Sequence, residues 1–180
     1  MTAEELWEMS GLSGTYEAWP FGDAPDKLAD LVMRGVKTAT CSAYDLYLAE
    51  NAPIPREGDY SVILDSMGAA VCVIRTTRVY VTAFDQVPGE HAWKEGEGDR
   101  SLDYWRKVHI AFLTRELASI NQVFTEKTKV VCEEFEVVYN PFSPNIAMQS
   151  LLQNNRNESG QIKVDSLRRA YSEKKRIKLP

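Results

Sequence analysis

Arg34-Gly35-Val36-Lys37-Thr38-Ala39-Thr40-Cys41-Ser42 is the stretch of this chain that fixes how the rest must be read. Before it, Leu28, Leu31 and Val32 share one face at helical spacing behind Pro25, and Gly35 closes that helix. After it, residues 36–42 have extended composition, so a lysine and three hydroxyls stand where a helix stops and a strand begins.

Working outward, Thr2 and Glu5 form a capping box that opens a short helix through Met9, closed at Gly11. Tyr16, Trp19, Pro20, Phe21 and Gly22 read as an irregular aromatic loop, and Asp23 as the cap of the helix that Gly35 ends. Downstream, Tyr44–Glu50 reads as a helix broken before Pro53 and Pro55, and Glu57-Gly58-Asp59 as a turn. Strands are expected at Tyr60–Asp65, Ala70–Ile74 and Thr76–Phe84, rich in Val, Thr and Tyr. Pro88–Arg100 reads as a polar, glycine-containing segment. Leu102–Leu117 is the clearest helix, with Leu102, Trp105, His109 and Phe112 on one face, and Val130–Tyr139 is a last strand placing Val131, Phe135, Val137 and Tyr139 together. This order is neither a βαβ repeat nor a bundle. It predicts an α+β fold, a small mixed β-barrel or open sheet with flanking helices.

Composition limits the function classes. Three cysteines without a CxxC argue against a disulfide framework and for a reducing, cytoplasmic setting. Two histidines and no Cys/His cluster along the chain argue against zinc, and no cofactor is called for. The longest uncharged apolar run, Met67–Ile74, is far too short for a membrane span, and the acidic Met1–Ser10 segment does not read as a signal peptide. Residues 146–180 carry eight Lys/Arg against three acids, so this basic C-terminal extension holds +5 and residues 1–145 hold −10. An acidic body gains nothing from counterion release on a long phosphate backbone, so a small nucleoside is the better partner and RNA the alternative. Val164, Leu167 and Tyr171 could form a weak amphipathic face in the extension, which otherwise reads as a solvated appendage.

Two clusters carry candidate chemistry. In the first, Thr40 becomes a nucleophile only if a base is within reach, and Lys37 becomes that base only if its pKa falls from ~10.4 to about 7–8. In a straight strand the two would face opposite sides, so their cooperation demands a bend; a helix cap followed by an ordinary strand is the plain alternative. The second cluster is Trp93-Lys94-Glu95-Gly96-Glu97-Gly98-Asp99-Arg100-Ser101, where glycines permit close backbone approach and the carboxylates offer acid–base groups. Ser101 or Asp99 also caps the following helix. Trp19, Phe21, Tyr44, Trp93 and Trp105 are candidates for stacking on a base. His109 and Cys41 are read as packing residues.

Gly35-Val36-Lys37-Thr38-Ala39-Thr40 resembles the G-x-K-x-x-T signature of the ASCH domain, a PUA-like β-barrel, and the stretch from Lys94 to Arg106 is similar to the second signature of bacterial single-domain ASCH proteins. Phe21-Gly22-Asp23, Gly58-Asp59-Tyr60 and Val131–Tyr139 also match, so the resemblance spans about residues 10–140 and leaves the extension outside. It implies a cleft lined by both signatures. In one branch of the family that cleft removes the acyl group from N(4)-acetylcytidine and related nucleosides. Carried over, Lys37 is the proton acceptor, Thr40 the nucleophile and Glu97 the proton donor, with Glu95 as the alternative acid. Ser42, Tyr44, Trp93, Glu95, Ser101 and Arg106 are the expected substrate-binding residues, without metal. Other members are RNA-binding modules or ribonucleases, for which Lys37 and Ser101 would be the counterparts.

Overall fold

The computed structural model describes residues 1–142, which include one compact unit, Met1–Asn140. The basic extension at 146–180, with its expected amphipathic face, lies outside the described residues.

The longest strand organises the fold. Ala70–Ala83 (β4) pairs antiparallel with Tyr60–Leu64 (β3) through its first half and with Lys129–Tyr139 (β5) along most of its length. Register shifts at Val73/Ile74 and Thr76/Arg78 bend it, as an inserted residue in an antiparallel ladder does. Tyr16–Pro20 (β1) adds to β3 in parallel, and Ala39–Ala43 (β2) adds antiparallel to β5, giving the order β1-β3-β4-β5-β2. The two edges, β1 and β2, do not pair with each other. The sheet is therefore a half-barrel in an α+β fold, open between its edge strands.

Each face of the curved sheet has its own core. On one, Cys41, Ala43, Val130 and Cys132 pack against Phe84 and against Trp105, Leu113 and Leu117 of a long helix, Leu102–Ser119. On the other, Ile63, Cys72, Ile74 and Phe135 pack against Phe21 and against Leu28, Ala29 and Val32 of Pro25–Met33. The helices in chain order are α1 (Ala3–Ser10), α2 (Pro25–Met33), α3 (Tyr44–Glu50), α4 (Gly89–Glu95) and α5 (Leu102–Ser119). No described helix is long and apolar enough to cross a membrane.

Most expected elements are present, including the Thr2/Glu5 capping box and the Gly11 stop. Four readings are corrected. The aromatic stretch at 16–20 is a strand, because its ladder is supplied by β3, and Pro20 is tolerated at its end on a sheet edge. The strands expected at 70–74 and 76–84 are one bent strand. Part of Pro88–Arg100 is helix α4, which opens without a side-chain cap and so lacks the usual start signal. Asp23 does not cap α2: the cap position is Ala24, and the Asp23 carboxylate is engaged by Arg115 of α5.

Candidate functional site

Backbone docking brings the two sequence clusters together. The Thr38 N–H donates to the Lys94 carbonyl at 2.8 Å, and the Thr38 carbonyl accepts from the Phe135 N–H at 2.9 Å. Gly96 ends α4 at φ 75°, and a Cβ there would lie 2.5 Å from the Val36 carbonyl oxygen, so only glycine permits this approach. The glycine delivers Glu95 and Glu97, one on each side of it, to the lysine.

Lys37 is 2% exposed. Its Nζ donates to Glu95 Oε2 at 2.8 Å and to Glu97 Oε1 at 3.3 Å. The other oxygen of Glu95 accepts from Trp105 Nε1 at 2.8 Å and lies 3.4 Å from Nε2 of both His91 and His109. His109 also stacks on Trp105 and hydrogen-bonds the Trp105 carbonyl through Nδ1 at 3.0 Å. Glu95 is thus the hub of a buried polar network fed by the loop before β2, by α4 and by α5. Burial raises the pKa of Glu95, but the Lys37 charge and the neighbouring histidines outweigh it and hold the carboxyl well below its ordinary value. Burial lowers the pKa of Lys37, yet the pull of Glu95 and then Glu97 prevails and the net direction is upward. This is opposite to what a lysine base requires: two carboxylates grip the ammonium and keep its proton on.

Beyond Lys37 the strand alternates. Ala39, Cys41 and Ala43 are buried, whereas Thr40 and Ser42 line a cavity of about 740 Å³ in the mouth of the half-barrel. Its walls include Tyr16, Trp19, Phe21 and Phe112, and its polar groups include Glu17, Asp59, Thr76 and Glu133. Thr40 and Glu133 are cross-strand partners in the β2–β5 register. The Thr76 hydroxyl donates to Glu133 Oε1. Burial comes first in pushing the Glu133 carboxyl upward; the Thr76 hydrogen bond opposes it, and the charges of Asp59 and Glu17 reinforce it.

The structure therefore joins Lys37, Glu95 and Glu97, and it places Thr40 on the cavity side of β2, where no hydrogen bond links its hydroxyl to those three among the described residues. The links are indirect: His91 Nε2 lies 3.2 Å from the Thr40 carbonyl oxygen and 3.4 Å from Glu95 Oε1, and Phe21, which lines the cavity, has its ring centroid 5.2 Å from Lys37 Nζ. Ser42 shares a 2.8 Å hydrogen bond with Tyr47, another cavity residue. Tyr44, Trp93, Ser101 and Arg106 are not among the cavity-lining residues. Tyr44 faces Lys129, Trp93 is 57% exposed beneath the Arg100 guanidinium, Ser101 caps α5, and Arg106 reaches the Asp85 carbonyl at 3.4 Å.

Glu133, Thr76, Tyr47 and His91 are polar residues that sequence reading passed over. Glu133 left a signal, since it shares strand parity with Val131 and Phe135 and is an acid at an inward position. The ligand atoms of Cys41, Glu95 and His109 lie within 4.8 Å of one another, a grouping not visible along the chain. They do not suit a metal. The Glu95 oxygens already serve Lys37 and Trp105, an ammonium stands 2.8 Å away, and the Cys41 thiol, hydrogen-bonded to Cys132 and buried, is held well above its usual range.

A half-barrel of this strand order, with two helix-backed cores and a pocket at its open edge, is a PUA-like architecture. The ASCH domain family model matches residues 17–139, and the chain belongs to that family. Among solved structures, an ASCH domain from Lactobacillus crispatus JV V101 is 31% identical, with a TM-score of 0.71 over 76% of this chain and 94% of that one. A protein from Enterococcus faecalis V583 is 35% identical, with a TM-score of 0.69 over 76% of this chain and 88% of the other. No curated protein matches the chain.

Proposed function

We propose that this ASCH domain is an amidohydrolase that removes the acyl group from N(4)-acetylcytidine or a related N(4)-acylated cytosine nucleoside. The observation that carries this reading is the position of Thr40: a hydroxyl on the wall of an aromatic-rich cavity, three residues after a buried lysine held by two glutamates. A pocket of about 740 Å³ is within the range that small ligands occupy, and its aromatic rings suit a flat base. The family is one for which both RNA binding and hydrolysis have been proposed. The −10 charge of residues 1–145 favours the small substrate over extended RNA.

In this mechanism Thr40 attacks the acyl carbonyl. Because two carboxylates hold Lys37 as an ammonium, it positions Glu97 rather than exchanging its own proton, and Glu97 is the acid that passes one proton to the departing cytosine amine. Water then hydrolyses the acyl-threonine and returns that proton. Glu95, saturated by Trp105 and the histidines, fixes Lys37 in place rather than reacting. Incubation of the protein with N(4)-acetylcytidine, followed by chromatography, should yield cytidine and acetate. Absence of cytidine at high enzyme concentration would overturn the assignment. A gel shift with RNA that weakens steeply with salt would favour the nucleic-acid reading instead.

A further inference from the structure

With Lys37 committed as an ammonium, the proposed reaction still needs a group to take the Thr40 proton. From the register of β2 against β5 and the lining of the cavity, we infer that Glu133 is the general base for Thr40 and that Thr76 positions it. The inference rests on the nucleophilic role of Thr40 and deepens that reading.

Thr40 and Glu133 are directly opposed in an antiparallel ladder, and both line the same cavity. Opposed side chains on one face of such a pair have Cβ atoms about 4.5–5.5 Å apart, close enough for a glutamate to reach the neighbouring hydroxyl. Glu133 is 6% exposed. Thr76, on the next strand, donates to its Oε1, while Oε2 has no hydrogen-bond partner among the described residues. One oxygen is thus anchored and the other is available to Thr40. The titratable groups lining the same cavity are acidic or neutral with one exception: Tyr16 and Glu17 on β1, Cys41 on β2, Tyr47 on α3, Asp59 just before β3, Tyr60 at its start, and the cation Arg56. The upward direction of the Glu133 pKa makes it a stronger base than an ordinary carboxylate, moving it toward the range in which a base works near neutral pH.

The Thr40 Oγ1–H bond breaks, its proton passes to Glu133, and Oγ1 bonds to the acyl carbon while the carbonyl π pair moves to oxygen. Collapse expels the amine, which takes its proton from Glu97. In deacylation, water attacks the ester, one of its protons restores Glu97, and Oγ1 recovers the proton held by Glu133. The sum is amide plus water giving acid plus amine.

The test follows acetylation of the Thr40 peptide by mass spectrometry in the full chain treated with p-nitrophenyl acetate, beside turnover of N(4)-acetylcytidine. Wild-type protein should acylate at Thr40 with a rate that falls as pH drops through the Glu133 titration. Glu133→Gln should slow acylation by about 10²–10⁴-fold and lose that acid limb. Thr76→Val removes a hydrogen bond that favours the carboxylate, so it should move the limb to higher pH, which also tests the inference should Glu133→Gln fold poorly. Acylation of Thr40 that depends on Glu133 supports the assignment even if N(4)-acetylcytidine is not turned over, an outcome that removes only the proposed substrate. An unmodified Thr40 in wild-type protein, near-normal acylation of Glu133→Gln, or a limb unmoved by Thr76→Val would overturn it.

Discussion

The two faces of β2 differ in how their polar groups are satisfied. On the side of α4 and α5, Lys37, Glu95, Trp105, His91 and His109 pair in a buried network centred on Glu95, although His91 Nδ1 has no hydrogen-bond partner among the described residues. On the cavity side, Thr40 has no hydrogen-bond partner for its hydroxyl among the described residues, and Glu133 has one oxygen committed to Thr76. Dense pairing around Glu95 makes the first face a frame, because losing Lys37 or Trp105 leaves a buried carboxylate oxygen without its donor. Incomplete pairing makes the second face available to a ligand. A signature motif that joins both, Lys37 to Thr40, is thus a framing residue and a reacting residue three positions apart.

The contrast can be broken most directly at Lys37. Lys37→Met should cost about 3–5 kcal/mol in chemical denaturation, since Glu95 would remain buried without its counter-charge; a loss below about 1 kcal/mol would show that the network is not a frame. Thr40→Ala should do the reverse, lowering hydrolysis by about a hundredfold or more while leaving stability within about 1 kcal/mol. Thr40→Ser keeps a hydroxyl and should retain part of the rate; equal rates for the two variants would remove the nucleophile. Trp105→Phe deletes one donor to Glu95 and should cost about 1–3 kcal/mol, read from the same denaturation curves.

The smallest expected effect, and the one that separates the faces by sign, is pH. Glu95 has a folded pKa below its unfolded one, so its stabilisation is present above the unfolded value of about 4.3 and is lost as pH falls further, through the folded pKa. Glu133 has a raised folded pKa, so its contribution is favourable below the unfolded value and is lost as pH rises through the folded one. Glu133→Gln should therefore raise Tm modestly near neutral pH, with the gain shrinking toward pH 4, whereas Glu95→Gln should lower Tm at neutral pH. Matching signs for the two substitutions, in thermal melts across pH, would erase the distinction.

Local signals made much of the fold legible. The capping box at Thr2, the helical face of Leu28 and Val32 before Gly35, and the β-branched run from Tyr60 announce their elements because each depends on short-range chemistry. Strand β1 and helix α4 did not announce themselves. One borrows its hydrogen bonds from β3, and the other starts without a cap and is held by docking against Val36. At the site, the sequence placed Lys37 beside Glu95 and Glu97 only through resemblance, and it left the direction of the Lys37 pKa open, because that direction depends on which charges the fold brings within 3.3 Å.

By itself, then, the chain determined its periodicities, its acidic body and basic end, and the hydroxyl-rich stretch after Gly35. Only the tertiary structure decided which of these residues share a pocket. Lys37, in the loop before β2, reaches the two glutamates beside α4, alternation along β2 puts Thr40 on the cavity side, and the β2–β5 register sets Glu133, more than ninety residues away in sequence, opposite Thr40. Hydrogen-bond pairing between strands is a long-range choice, fixed by the bent half-barrel as a whole, and no local pattern encodes it.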